Sequence, residues 1–257
     1  MPPHLIQLLA LNKNRGFIRA DATSADEATL YLYDVIVSDA WYGGVAALDF
    51  IQQLNMLTQP TIHLRINSPG GDVFAARAIV QAMREHPSNI VAHVDGMAAS
   101  AATFLAIAAD QSYIADGAMF MIHNAWSIAA GNAADFTAMA DLLNRTDQTI
   151  INDYMAKTGC DQQTIADWMD AETYFFGQDA VDNGFIDAIA EAPVKNEIKW
   201  DLSCYKNPDI SGSRKQPNPP PTDQQKRPPP PPAPPEKPAI DLSNHYRRLA
   251  LIQKTAA

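Results

Sequence analysis

NSPGGDVFAARAIV, residues 67–80, sets two adjacent glycines between a strand and a helix. Ahead of it runs Ile62-His-Leu-Arg-Ile66, in which apolar and polar residues alternate as in a strand. Behind it, Val73 to His86 reads as a helix, and Pro87 marks its end. Paired glycines let the backbone take positive φ and let another chain or ligand come close. They also leave two N–H groups with no side chain in the way, and bare N–H groups before a helix start hold an anion well. The plain alternative is a tight strand-to-helix turn, for which Gly-rich sequence is common.

The same alternation continues on both sides. Leu30–Val37 reads as a strand, Val45–Leu57 as a helix and Thr61–Ile66 as a strand. Asn89–Asp95 is a strand and Ser100–Ala109 a helix. Gln111–Ala115 and Ala118–Ile122 are short strands, and Asn132–Lys157 is one long helix. Thr164–Met169 and Gln178–Asn183 are short helices, the second stopped by Gly184, and Phe185-Ile-Asp187 leads into a last strand. Strands alternating with helices predict an α/β fold with a mostly parallel sheet.

Two residues stand out as candidates for chemistry. In Gly96-Met-Ala-Ala-Ser-Ala-Ala-Thr103, Ser100 opens an Ala-rich helix with small residues on both sides. A serine there is commonly a helix N-cap. Small neighbours, however, keep its hydroxyl accessible, and the helix start places N–H groups where an oxyanion would develop. A hydroxyl needs a base within hydrogen-bond reach to be a nucleophile. Of the six histidines, His4 lies in the leader, His245 in the tail, His63 and His93 inside strands, and His86 at a helix end. His123 follows the apolar strand Met119–Ile122, at a strand mouth where α/β folds put working groups. A structural histidine is the plainer reading of any one of them.

Taken in order, Ile66-Asn-Ser-Pro-Gly-Gly71, Gly96-Met-Ala-Ala-Ser100, Met121-Ile-His123 and Ala180-Val-Asp-Asn-Gly-Phe-Ile-Asp187 resemble the motifs of the Clp protease proteolytic subunit, a serine peptidase. The resemblance covers roughly residues 28–190. It implies a spiral of βαβ units, the fold this family shares with crotonases. It implies Ser100 as nucleophile, His123 as general base, and the backbone N–H groups of Gly71 and Ala101 as the oxyanion hole. Counting back without a gap from Ala180-Val-Asp-Asn-Gly184 sets Glu172 where the family has an aspartate, with Asp170 as the competing carboxylate. If neither reaches His123, a Ser–His dyad remains. The helix Asn132–Lys157 matches the family's protruding handle, through which heptameric rings stack, and its apolar positions cover more than one face.

Composition divides the chain further. The 257 residues carry a net charge of −10. Residues 206–257 hold 9 of 19 Lys+Arg, 4 of 29 Asp+Glu and 13 of 19 prolines, a net +5 that leaves −15 on the rest. Such a stretch is expected to be extended and disordered. The expected organisation is a leader over 1–27, a peptidase domain over 28–190, a Pro-rich linker over 191–239 and an amphipathic peptide over 240–257. In that peptide Asp241 or Ser243 is read as the cap of a short helix with Tyr246, Leu249 and Ile252 on one face, a plain solvated terminus being the alternative. A family core with an added tail is most similar to the phage and prophage head maturation subgroup, which trims scaffold and capsid proteins without ATP. A housekeeping-type subunit working with an ATP-dependent unfoldase and a silent capsid scaffold are the alternatives. A crotonase-type acyl-CoA enzyme would need no Ser–His pair, and residues 96–156 hold no lysine for a Ser–Lys pair.

Two cysteines, Cys160 and Cys204, make no disulfide framework, and no spacing of Cys and His matches a zinc site. No motif calls for a metal or other cofactor. No run reaches the roughly 18 apolar residues of a membrane span. The expectation is a soluble, unsecreted homo-oligomer in a bacterial host cytoplasm or procapsid, acting on polypeptide, with no nucleic acid or membrane partner.

Overall fold

The computed structural model describes residues 3–12, 16–191, 201, 203 and 205. The amphipathic peptide read over 240–257 lies outside the described residues, as do Cys204 and all of the linker read over 191–239 except Glu191, Asp201, Ser203 and Tyr205.

Helix α1 (Pro3–Leu11) and strand β1 (Phe17–Ala22) come first, inside the stretch read as a leader. β1 pairs antiparallel with β2 (Glu27–Tyr33). The rest of the sheet is largely parallel: β2, β5 (Thr61–Ser68), β6 (Asn89–Ala99), β7 (Gln111–Ile114) and β10 (Ala188–Ile189) lie side by side in that order. β6 is long enough to serve two partners. Val91–Val94 pairs with β7, and Met97–Ala99 pairs with β8 (Met119–Ile122). A last strand, β9 (Thr173–Phe176), runs antiparallel to β8.

Alternation explains which face is covered. Ala28, Leu30 and Leu32 of β2, Ile62, Leu64 and Ile66 of β5, and Ile90, Ala92 and Val94 of β6 are buried in one cluster. Helices α2 (Ala47–Met56), α3 (Val73–Glu85) and α4 (Ala102–Ala108) close over them with Phe50, Leu54, Ile79, Met83 and Leu105. Period-2 strands packed beneath period-3.6 helices are what the sequence pattern requires. The other face of the same strands is polar. There Arg65 makes a two-pronged ion pair with the buried Asp95, Nε to Oδ2 at 2.8 Å and Nη2 to Oδ1 at 2.5 Å. The Tyr33 hydroxyl also donates to Asp95. Burial pushes the Asp95 carboxyl up, and Tyr33 and Arg65 draw it back only in part. His63 Nδ1 and His93 Nε2 lie 3.0 Å apart in mid-strand. Burial first, then the charges of Arg65 and His63, holds His93 down to about 4, so its ring is neutral at pH 7.

Three sequence readings are corrected. Leu30–Val37 is not one strand: it breaks at Asp34, and Ile36–Val37 (β3) pairs instead with Val45–Ala46 (β4). The break is chemical. The Asp34 carboxylate accepts the Val35 N–H, and its backbone carbonyl accepts the Ser68 hydroxyl. Helix α2 therefore starts at Ala47, two residues later than the pattern predicts. Ser100 is not the first residue of a helix either. β6 runs on to Ala99, and α4 starts at Ala102.

The long helix α5 (Ala133–Thr158) is capped by Asn132, whose side chain accepts the Ala134 and Asp135 N–H groups while Asp135 returns to the Asn132 N–H. Its buried residues are Thr146, Ile150, Ile151 and Tyr154, all in its second half. Phe136 and Leu142 in the first half are about half exposed, at 52% and 48%. Helix α6 (Gln162–Asp170) and α7 (Gln178–Asp182) complete the fold. Among the described residues no helix is long and apolar enough to cross a membrane.

Candidate active site

The carboxyl ends of three parallel strands converge. β5 ends at Ser68, β6 at Ala99 and β8 at Ile122, so Pro69-Gly-Gly71, Ser100 and His123 are the residues just past each end. This is the edge of an α/β sheet at which ligand sites form. His123 Nε2 lies 2.7 Å from Ser100 Oγ, a hydrogen-bond distance with the hydroxyl able to donate.

Ser100 is held in an unusual backbone state. Its φ is +53°, in the left-handed region that costs an ordinary L-residue about 1 kcal/mol. Among the described residues one other non-glycine shares a positive φ, Glu172 at +51°. Backbone strain of this kind collects at functional sites. The strand-to-helix turn is pinned on both sides of the serine. Its N–H donates to the Met121 carbonyl at 2.8 Å. Its carbonyl accepts the Thr103 N–H at 3.0 Å and the Thr103 hydroxyl at 2.6 Å. That hydroxyl lies 2.6 Å from Tyr154 Oη, so α5 supports the turn from behind. The N-cap of α4 is Ala101, with no side-chain cap. The Ser100 hydroxyl is thus engaged with His123 rather than with the helix end.

The Pro-Gly-Gly turn is shaped by contacts that only glycine permits. Ser68 Oγ donates to the Asp34 carbonyl at 2.6 Å and accepts the Gly70 N–H at 3.2 Å. Gly70 (φ +91°) lies against the nucleophile turn: a Cβ there would sit 2.5 Å from the Ala99 carbonyl oxygen and 2.8 Å from Ser100 Cβ. Gly71 (φ +146°) lies against Ile36, whose carbonyl oxygen would be 2.0 Å from an added Cβ. The Ile36 N–H donates to the Gly70 carbonyl and the Asp72 N–H to the Ile36 carbonyl. This parallel bridge steps over the Gly71 N–H. Asp72 then caps α3 through the Ala75 N–H.

On the expectation that the Gly71 N–H is an oxyanion donor, Gly71→Ala should lower kcat about 10²- to 10³-fold, the cost of displacing such a donor by about an ångström. The new methyl would meet the Ile36 carbonyl oxygen at 2.0 Å at a strained φ, so the turn itself has to shift. Gly117→Ala, where nothing lies within 4 Å of the added Cβ, is the control and should leave kcat unchanged. Parallel kinetics and thermal melts separate lost chemistry from lost folding.

The two candidate carboxylates differ in setting. Glu172 is 6% exposed and accepts the Tyr174 hydroxyl on Oε1 at 2.8 Å. Asp170, at the end of α6, is exposed and accepts Asn124 Nδ2 on Oδ1 at 2.6 Å. Both line a cavity of about 360 Å³ beside His123, with Trp126, Met169 and Tyr205. The chain past His123 is tied to α5 through the Ala125 N–H, which donates to Asp147 Oδ1 at 2.6 Å. Burial pushes the Asp147 carboxyl up, the Ala125 N–H opposes this, and the charge of Asp170 adds to the rise. Tyr205 was not legible as a site residue: nothing in its local sequence marks it. Among the described residues no group of three His, Cys, Asp or Glu side chains is placed to hold a metal.

Residues 26–193 match the Clp protease family model. The chain is similar to the ATP-dependent Clp protease proteolytic subunit 1 of Prochlorococcus marinus, at 30% identity over 173 residues, 66% of this chain and 87% of the relative. It is 32% identical over 133 residues to proteolytic subunit 3 of Streptomyces coelicolor, 51% of this chain and 61% of the relative. It is 32% identical over 134 residues to a proteolytic subunit of Streptococcus agalactiae, 51% of this chain and 68% of the relative.

Proposed function

Because the chain belongs to the Clp protease family, we propose that it is a serine endopeptidase in which Ser100 attacks the scissile carbonyl and His123 takes its proton. The observation that carries this reading is the 2.7 Å approach of His123 Nε2 to a serine held at positive φ. In the first step the Ser100 Oγ–carbon bond forms as the hydroxyl proton passes to Nε2. The carbonyl oxygen then carries the charge, stabilised by the Gly71 and Ala101 N–H groups. His123 returns the proton to the leaving amine. Glu172 holds the imidazole in the required tautomer. Subunits assemble as heptameric rings stacked through α5, whose first half carries the exposed Phe136 and Leu142.

The finer reading is cleavage of scaffold and capsid proteins during phage head maturation, without ATP, in the bacterial host cytoplasm or procapsid. It is supported by the basic, Pro-rich stretch over 206–257, which lies beyond the family match. The names of the relatives favour a second reading, a subunit fed by an ATP-dependent unfoldase. Fluorophosphonate labelling followed by peptide mass mapping tests the shared core. We expect one adduct, on Ser100, absent from Ser100→Ala. A folded protein that takes no label there overturns the peptidase reading. Cleavage of unfolded polypeptide with no ATPase present then favours the first of the two finer readings, and cleavage only with one favours the second.

A further inference from the structure

Tyr205 lies 12 residues beyond the end of the family match at 193, yet its ring reaches the active site. It meets the His123 ring edge-on, with centroids 5.3 Å apart and planes at 86°. Its hydroxyl donates to the Pro69 carbonyl at 2.5 Å. It is 8% exposed and packs in a small second core with Leu8, Leu9, Val37, Met97 and Met121. The residues before it are anchored as well. Asn12 Nδ2 donates to the Asp201 carbonyl at 3.0 Å, and the Asp201 N–H donates to Asn12 Oδ1 at 2.7 Å. A two-bond clasp on α1's end therefore fixes the approach of this tyrosine.

The position of its hydroxyl gives the contact a consequence. Pro69 is the residue between the end of β5 and the two glycines. A polypeptide whose scissile oxygen rests on the Gly71 N–H lies along this turn. An extended chain binds such an edge by main-chain hydrogen bonds. The Pro69 carbonyl stands two residues before Gly71 on this turn, and it already accepts the phenol, whose ring shields it. A small acyl group makes no use of the acceptor.

We infer that Tyr205 is a specificity-determining residue: it covers the backbone acceptor beside the oxyanion turn, so that small acyl substrates reach Ser100 more readily than extended polypeptide. The inference rests on the peptidase reading above. An extended chain has to move the phenol aside, whereas an acetyl group passes.

The test is the ratio of kcat/KM for fluorescein-labelled unfolded casein to that for p-nitrophenyl acetate, on the full chain. Tyr205→Ala should raise the ratio about ten-fold, roughly what one freed hydrogen-bond acceptor and the absent ring are worth. Tyr205→Phe keeps the ring and frees the acceptor, so it should raise the ratio by less. Asn12→Ala loosens the clasp without touching the tyrosine and should raise it too, which keeps the test decisive if Tyr205→Ala fails to fold. A ratio that stays level or falls in the folded variants overturns the inference alone, provided the wild type labels at Ser100. A wild type without that label overturns the peptidase reading and this inference together.

Discussion

Ser100→Ala should lower kcat/KM toward polypeptide about 10⁶-fold, and adding His123→Ala should cost almost nothing more. A nucleophile and its base work as one device. Without the hydroxyl there is no oxygen to attack the carbonyl, and a base with no proton to take contributes nothing. Without the imidazole, the hydroxyl sits at its ordinary acidity and attacks slowly. The 2.7 Å contact between the two side chains is what makes the losses overlap. Residual rate in Ser100→Ala, in His123→Ala and in the double variant should come from binding and from the proposed oxyanion N–H groups of Gly71 and Ala101. Multiplying penalties would show that the two residues act separately. A small penalty for Ser100→Ala would put the nucleophile elsewhere. The melt of Ser100→Ala should coincide with that of the wild type, because removing Oγ opens little space and leaves the Ser100 backbone bonds to Met121 and Thr103 in place.

The α/β class was legible because burial follows short-range periodicity. Ile62, Leu64 and Ile66 alternate with His63 and Arg65, and the strand they predict is β5. The paired glycines were legible for a similar reason: close approach to Ile36 and Ser100 leaves no room for Cβ, and that restriction is written in residue type. Long-range causes were not. Strand β2 ends at Tyr33 because Asp34 bonds to its own neighbour and to Ser68, which stands 34 positions away. β6 runs through Gly96 to Ala99 because β8 supplies a partner there, so Ser100 falls outside the helix that its Ala-rich surroundings predict. β9 is four residues whose strand character comes from pairing with β8. Tyr205 is the extreme case. Its place beside His123 depends on Asn12 and Asp201, 189 positions apart.

Glu172→Gln should cut kcat about 10⁴-fold, while Asp170→Asn should change it by less than about ten-fold. In the proposed triad, an isosteric amide keeps the volume but removes the charge that would stabilise an imidazolium, and its NH₂ group would favour the wrong tautomer of His123. Three observations support expecting this of the glutamate rather than of Asp170. It is buried where Asp170 is exposed. Its φ of +51° is the second left-handed non-glycine backbone among the described residues, the first being Ser100 itself. Its Oε1 accepts the Tyr174 hydroxyl from β9, which holds a buried carboxylate in place, whereas Asp170 bonds Asn124 at the surface. Glu172→Asp, one methylene shorter, should recover part of the loss, which a merely structural role for the side chain would not produce. Tyr174→Phe should cost less than Glu172→Gln, since it removes the aim and leaves the charge. A large loss in Asp170→Asn with Glu172→Gln nearly silent would reassign the third member. Losses below ten-fold in both would leave Ser100 and His123 working as a dyad, with the strain at Glu172 serving the turn into β9 rather than the imidazole.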